Sequence, residues 1–186
     1  KTMHSFINLR TPGILAVLSL VMCLSAASAQ AQVNCTTLAH WSATAPPVNQ
    51  IHIFCGEWDG TRPKGFHSRP GGLDPVTVGT FAITQPANAQ GIYGASWSYA
   101  AHPTPSKYST MFPDTCSTAQ VLNSIAYAAL NPTACPSTAP TWAWCGPSRP
   151  SGGNAANYCS SANGTVFTIA GASLGNGNVN TAFPVM

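Results

Sequence analysis

Six cysteines that follow an apolar N-terminal segment constrain the fold of this chain more than any other feature. The chain has 7 cysteines in 186 residues, and Cys23 lies inside the apolar segment. The others are Cys35, Cys55, Cys116, Cys135, Cys145 and Cys159. None of these forms a Cys-x-x-Cys pair, which disfavours a zinc ribbon or a thioredoxin-type site. An even number of cysteines in an exported chain predicts up to three disulfides, and the sequence does not determine which cysteines pair. We expect at least one pair inside residues 135–159.

The apolar segment has the three parts of a secretory signal peptide. A basic region that includes Lys1 and Arg10 precedes an apolar core at residues 14–24, and Ala27-Ser28-Ala29 supplies a small-residue cleavage site. The alternative is a membrane anchor, which the short apolar run and the lack of a basic flank after it disfavour. We therefore expect a secreted or periplasmic protein with no membrane partner after cleavage, divided into a signal peptide and one mature domain, residues 1–29 and 30–186.

Charge limits the classes of ligand. Charged residues make up 6% of the chain and the formal net charge is +3, which excludes a strongly basic nucleic-acid scaffold. Arg62, Lys64 and Arg69 nevertheless flank His67 closely. Cations gathered beside a histidine in a nearly neutral chain favour a small anionic ligand, contacted at a few phosphates, over a long groove for duplex DNA. The alternative is a solvated turn with ordinary arginines.

Periodicity and turn signals predict an α+β fold, with antiparallel β-sheets and a few packed helices. The predicted helices are residues 36–43 and 117–130, the second with the capping-box spacing of Ser117 and Gln120. The predicted strands are residues 51–57, 65–68, 76–84 and 92–99, followed by a hairpin of residues 165–170 and 179–183. Residues 58–64 are expected to be a turn, residues 69–75 a loop, and residues 131–163 a loop pinned by disulfides.

Two histidines occupy informative places in this pattern. His52 lies near the start of the first predicted strand, where side-chain alternation turns Cys55 away from it and disfavours a Cys–His dyad. His67 follows a glycine-centred turn. If the two segments pair as neighbouring strands, His52 and His67 meet at one site. Any single histidine of such a chain is more often incidental.

Four short motifs, in this order, resemble those of the bacterial EndoU endoribonucleases. They are HIFCGE at 52–57, GFH at 65–67, KYSTMFP at 107–113 and NTAFP at 180–184. The resemblance spans residues 51–184 and implies an EndoU-like fold, with a single EndoU-like nuclease domain over residues 30–186. It implies cleavage of RNA, commonly on the 3′ side of uridine, that leaves a 2′,3′-cyclic phosphate. It also implies that no cofactor is required, although manganese stimulates some members.

The resemblance also assigns roles to residues. His67 would be the general base, His52 the general acid, and Lys107 the cation that neutralises the phosphate. Thr181 and Phe183 match positions that hold the uracil edge and stack on the base or sugar. Ser109 and Thr110, in the lysine motif, are further candidates for substrate binding, and Glu57 would support the loop or a histidine. No metal ligand is assigned.

Two departures qualify the resemblance. Tyrosine is common at the position of Phe183, so a hydroxyl contact is missing here and looser base selectivity is expected. Residues 135–159 match no motif and would form either a lid or a stabilising insertion.

The sequence is compatible with three classes of function. The leading one is an exported endoribonuclease, which acts on RNA as a monomer and whose use as a secreted toxin would call for an immunity protein. The alternative is a catalytically inactive, secreted module of the same fold that binds RNA or another ligand. The third is a small, disulfide-rich structural or inhibitory protein.

Overall fold

The computed structural model describes residues 1–2, 30–152, 155–161 and 163–186. The predicted signal peptide, apart from its first two residues, lies outside the described residues. In the described ranges, no helix has both the length and the apolar character needed to cross a membrane.

Eight strands and one α-helix make up most of the regular structure of the described ranges. The strands form three antiparallel sheets, with orders β1-β2, β3-β4-β5 and β6-β7-β8. In chain order the elements are β1 (Glu57–Trp58), β2 (Pro63–Lys64), β3 (Val78–Gln85), β4 (Tyr93–Tyr99), β5 (His102–Met111), α1 (Thr118–Leu130), β6 (Trp144–Pro147), β7 (Thr168–Ser173) and β8 (Val179–Pro184). The predicted α+β class is confirmed.

Helix α1 begins where its cap was predicted. The Ser117 hydroxyl accepts a hydrogen bond from the Gln120 backbone N–H, and the Gln120 side chain accepts one from the Ser117 N–H. Val121 and Ile125 are fully buried on the inner face. The β7–β8 hairpin and strands β3 and β4 are also confirmed, with ends that differ from the predicted ones by a few residues.

The predicted strand at residues 51–57 is wrong. Ile51–Cys55 form a π-helical turn, and only Glu57 belongs to a strand. Asn49 starts the turn, because its carbonyl accepts from the Ile53 N–H at 3.2 Å and its side-chain oxygen accepts from the His52 N–H at 3.0 Å. A short, wholly buried apolar run does not distinguish strand from helix. The alternation argument for Cys55 therefore fails, although its sulfur is bonded to Cys35 and is not a free nucleophile.

Two other predicted elements are absent from the described chain. Residues 36–43 form no helix, because Asn34 closes a turn instead: its carbonyl accepts from the Leu38 N–H and its side chain from the Thr36 N–H. Residues 65–68 are irregular, because the strand that pairs with β1 (Glu57–Trp58) is β2 (Pro63–Lys64), which ends before them.

Three strands were not predicted, of which β2 lies inside the turn predicted at residues 58–64. Strand β5 contains Pro103 and Pro105, which lower strand propensity but are tolerated because β5 is an edge strand. Strand β6 lies inside the predicted loop 131–163, where it pairs with β7.

The buried apolar side chains form two clusters. The larger cluster joins the π-helical turn, α1 and the C-terminal sheet, and includes Phe54, Phe112, Ile125 and Ile169. The smaller cluster surrounds Trp97 on the middle sheet, which is formed by β3, β4 and β5. The middle and C-terminal sheets are in contact through β5 and β8, and this junction positions the site described below.

The six cysteines are paired as Cys35–Cys55, Cys116–Cys159 and Cys135–Cys145. The expectation of a pair inside residues 135–159 is confirmed. Disulfides of this density are typical of proteins from an oxidising compartment.

Removing the Cys116–Cys159 bond by the double substitution Cys116→Ser and Cys159→Ser is expected to lower the free energy of unfolding by about 2–5 kcal/mol. The bond joins the start of α1 to a segment 43 residues away, so its loss frees a long loop in the unfolded chain. Chemical denaturation of the oxidised protein measures the effect. The pair Cys135→Ser and Cys145→Ser is the control: its separation is 10 residues, so its loss should be about 1 kcal/mol smaller. Equal losses for the two pairs would contradict this loop-length account.

Candidate active site

A cavity of about 640 Å³ lies where β5 and β8 face the π-helical turn. Its walls come from five parts of the chain: the π-helical turn, residues 62–67 (β2 with the residues beside it), strand β5, strand β8 and the loop between Cys135 and Cys145. Seven of the eight predicted site residues line it: His52, His67, Lys107, Ser109, Thr110, Thr181 and Phe183. The eighth, Glu57, contacts the cavity through His52.

Backbone hydrogen bonds hold the two histidine segments together. The Phe66 N–H donates to the His52 carbonyl at 2.7 Å, and the His67 N–H donates to the Ile53 carbonyl at 2.8 Å. Gly65 makes this approach possible, since its φ is +70° and a Cβ there would lie 2.1 Å from the His52 carbonyl oxygen. The two histidines thus meet at one site, as predicted. They do so because the segment after β2 is hydrogen-bonded to the π-helical turn, and not because two neighbouring strands pair.

The imidazole rings share one face of the cavity. Their centroids are 6.2 Å apart with an interplanar angle of 28°. Both residues are largely buried, with 7% of His52 and 6% of His67 exposed. The Phe183 ring lies 5.3 Å from the His67 ring on the β8 side.

Hydrogen bonds at Nδ1 fix the tautomers of both rings. The His67 Nδ1–H donates to the Thr110 carbonyl at 3.0 Å. The His52 Nδ1 lies 2.7 Å from a carboxylate oxygen of Glu57, and the hydrogen bond from His52 lowers the pKa of Glu57, which is therefore ionised at neutral pH and accepts the proton. Nε2 of each ring is the nitrogen that remains for a ligand.

Burial and neighbouring charges also lower the pKa of two groups in the cavity, His67 and Lys107. Burial lowers the pKa of His67 well below the ordinary 6.5, and the charges of Lys107 and His52 lower it further. His67 is therefore neutral at neutral pH. Burial, with a smaller contribution from Arg62, lowers the pKa of Lys107 to about 8. Lys107 is therefore still a cation at neutral pH.

Ser109 positions Lys107. The Lys107 Nζ donates to the Ser109 hydroxyl at 2.6 Å and to the Tyr108 carbonyl at 3.1 Å. The Ser109 hydroxyl also accepts from the Trp97 ring N–H and donates to the Gly65 carbonyl, both at 3.1 Å. A substrate contact through this buried hydroxyl, as the sequence predicts, requires that one of these partners be given up.

The family of the chain follows from a comparison with family models. The model of the bacterial EndoU nucleases matches residues 48–186, which include the π-helical turn and every residue that lines the cavity. The chain belongs to this family. A comparison with curated proteins and one with solved structures found no match. Membership of the EndoU family implies nuclease activity.

The cations of this EndoU nuclease are arranged differently from the expectation. Arg62 and Lys64 line the cavity. The Asp59 Oδ2 lies 3.7 Å from the Arg62 Nε and 2.9 Å from the Lys64 Nζ. Arg69 instead pairs with Asp74 and Asp114, at 3.1 Å and 3.6 Å. The expectation that all three cations surround the anion site is therefore wrong for Arg69, because its guanidinium is paired with two carboxylates outside the cavity.

Sequence reasoning missed two parts of the site. The Asn49 side-chain amide donates to Glu57 at 3.3 Å and to Asn180 at 3.1 Å, which fixes the carboxylate that holds His52. Thr138, Pro140 and Trp142 line the cavity from the loop that no motif explains. The three loop residues lie far along the chain from the rest of the cavity, so no local pattern indicates them. Asn49 lies only three residues before His52, and its role was missed because a strand was predicted where the turn begins.

The described residues hold no group of three or more His, Cys, Asp or Glu side chains that could bind a metal ion. They therefore do not fit a resident manganese ion, and no step below is assigned to one.

Proposed function

We propose that this EndoU nuclease is an exported endoribonuclease that cleaves RNA on the 3′ side of uridine and leaves a 2′,3′-cyclic phosphate. One observation carries the proposal: two histidines, each held at Nδ1, share a cavity with a partly buried lysine. Transphosphorylation needs two proton transfers and a charge beside the phosphate, and these three side chains supply them.

His67 acts as the base. Its ring is neutral at neutral pH because burial lowers its pKa, so Nε2 can accept the proton of the ribose 2′-OH. The 2′-oxygen then attacks phosphorus, and the bond from phosphorus to the 5′-oxygen of the next nucleotide breaks.

His52 acts as the acid. It delivers a proton from Nε2 to the departing 5′-oxygen, while Glu57 holds Nδ1–H at 2.7 Å. The carboxylate keeps the ring in one tautomer and one orientation. The Nε2 proton of His52 is then replaced from solvent, or from His67 by way of water.

Lys107 stabilises the charge that grows on the phosphoryl oxygens. Ser109 holds its ammonium at 2.6 Å, and partial burial reduces the screening of its charge by water. A preorganised cation at such a place acts without reorganisation during the reaction.

Thr181 and Phe183 form the uridine subsite. They are two positions apart on β8, so their side chains lie on the same face of the strand, and both line the cavity. A base that stacks on Phe183 therefore presents its edge to Thr181. Thr110 lines the same wall and adds a polar contact. Phenylalanine offers no hydroxyl here, so discrimination between uridine and cytidine is weaker than a tyrosine would give.

Export accounts for the disulfides, which form and persist in oxidising compartments. A ribonuclease released in this way acts as a toxin on cells that it enters, and the producing cell then needs an immunity protein that covers the cavity. We propose that the enzyme acts as a monomer, since all three proposed catalytic residues come from one chain.

The test uses two oligonucleotides that differ by one oxygen, one with a single uridine and one with 2′-deoxyuridine at that position. The ribonucleotide should be cut 3′ of the uridine, with a cyclic phosphate detected by mass spectrometry, and the deoxy form should stay intact because it lacks the nucleophile. Parallel reactions with EDTA and with manganese measure any stimulation by the metal. Cleavage of the deoxy form would exclude transphosphorylation, and tight binding of both without cleavage would support the inactive binding module.

A further inference from the structure

The loop between Cys135 and Cys145 presents a large aromatic side chain to the cavity. Trp142 lines the cavity and is 60% exposed. Its ring meets that of Phe183 edge to face, with centroids 6.0 Å apart and an interplanar angle of 66°. Phe183 in turn lies 5.3 Å from the ring of His67. An aromatic series therefore leads from a proposed catalytic group to the rim of the cavity.

The loop that carries Trp142 is fixed at several points. The Cys135–Cys145 bond closes it. Two turns inside it are closed by hydrogen bonds, from the Ala139 N–H to the Pro136 carbonyl at 3.0 Å and from the Ala143 N–H to the Pro140 carbonyl at 3.1 Å. The Thr138 hydroxyl also donates to the carbonyl of Met186 at 3.3 Å. The backbone that carries the exposed ring is thus held in place without a ligand, and little ordering of the loop is needed on binding.

We propose that Trp142 is a stacking platform for the base next to the uridine, so that the site binds at least two consecutive nucleotides of single-stranded RNA. Stacking on an aromatic face needs only the π-surface that every base has, so this contact would add affinity without sequence preference. The proposal rests on the proposed function, because Phe183 is occupied by the uridine. It assigns a purpose to the loop that the family motifs leave unexplained.

A binding measurement tests the proposal without any cleavage. Fluorescence anisotropy is recorded with a labelled trinucleotide that has 2′-deoxyuridine at its centre, either with natural bases on both sides or with abasic flanking residues. Trp142→Ala should raise the Kd for the first oligonucleotide by roughly 10-fold, and Trp142→Phe should restore most of the loss. For the abasic oligonucleotide, wild type and Trp142→Ala should bind alike.

Leu130→Ala is the matched control, since Leu130 is 65% exposed at the end of α1, outside this cavity. It should leave both Kd values unchanged. An unchanged Kd in Trp142→Ala would overturn the inference, and so would an equal loss for the natural and the abasic oligonucleotides, because Trp142 would then act through Phe183 or the fold.

Kinetics separate this inference from the proposed function. In steady-state cleavage of the all-ribo trinucleotide, Trp142→Ala should raise KM by roughly 10-fold with a much smaller change in kcat. Wild-type protein that binds RNA through Trp142 and cleaves none would refute the nuclease proposal alone. Active protein with an unchanged KM in Trp142→Ala would refute the stacking platform alone.

Discussion

Replacing His67 or His52 by alanine is expected to lower kcat/KM for RNA cleavage by at least about 100-fold, the usual contribution of one acid–base group. Each ring has its Nδ1 held and its Nε2 left for the substrate, so neither can take over the task of the other. The double variant should lose little more than either single one, because groups that act as a unit are not additive. Single-turnover cleavage of the uridine oligonucleotide measures all three.

The pH profile gives this first prediction a direction. A protonated His67 cannot accept a proton, and its pKa is lowered below 6.5 by burial. Cleavage by wild-type protein should therefore hold its rate as pH falls to this value and decline only at more acidic pH. The residual activity of His67→Ala should lack that decline.

His40→Ala and His102→Ala are the matched controls. Both residues are exposed, and His102 stacks on Trp58 at 4.1 Å rather than lining the cavity. Each should retain activity within a few-fold of wild type. Denaturation curves complete the test: if His52→Ala and His67→Ala unfold rather than lose rate, these are core histidines and the mechanism proposed here is refuted.

Replacing Lys107 by alanine is expected to lower kcat by about 100- to 1000-fold, the range found when one preorganised donor to a developing negative charge is removed. Since the pKa of Lys107 is about 8, its positive charge is present at neutral pH and is lost as the pH rises through that value. Wild-type activity should therefore decline on the alkaline side. Stopped-time assays between pH 6 and pH 10 measure both effects.

Lys107→Arg separates charge from shape. Arginine stays protonated at every pH of the assay, so this variant should be slower at neutral pH and should lose no rate through deprotonation at position 107 as the pH rises. Lys64→Ala should lose far less than Lys107→Ala, because Asp59 already neutralises that ammonium at 2.9 Å. Comparable losses in the two lysine variants would indicate a general attraction for RNA instead of a specific contact at the phosphate.

Local signals predicted the elements that depend on local physics. The cap of α1 is a hydrogen-bond pattern among residues three apart, and the β7–β8 hairpin is joined by a short polar turn. Strands β5 and β6 were missed because their evidence lies elsewhere in the chain. Prolines disfavour β5 until β4 is present as its partner, and β6 exists only because β7 pairs with it.

The residues of the site likewise fall into those that the sequence predicted and those that it did not. Motif resemblance assigned His52, His67 and Lys107, and the structure brings all three to one cavity. The π-helical turn was not predictable, because a short and mostly buried run such as residues 51–55 does not distinguish helix from strand. Trp142 was not predictable either, since its position depends on a disulfide whose partner no sequence pattern specifies.

The separation of the two imidazoles is set in part by a residue that has no side chain. Gly65 takes part in no proton transfer, yet a methyl group on it would collide with the His52 carbonyl oxygen at 2.1 Å. That collision could be relieved only if the segment that carries His67 moved away from the π-helical turn that carries His52. The distance of 6.2 Å between the two ring centroids, which the proposed proton transfers would have to span, therefore depends on the absence of one methyl group.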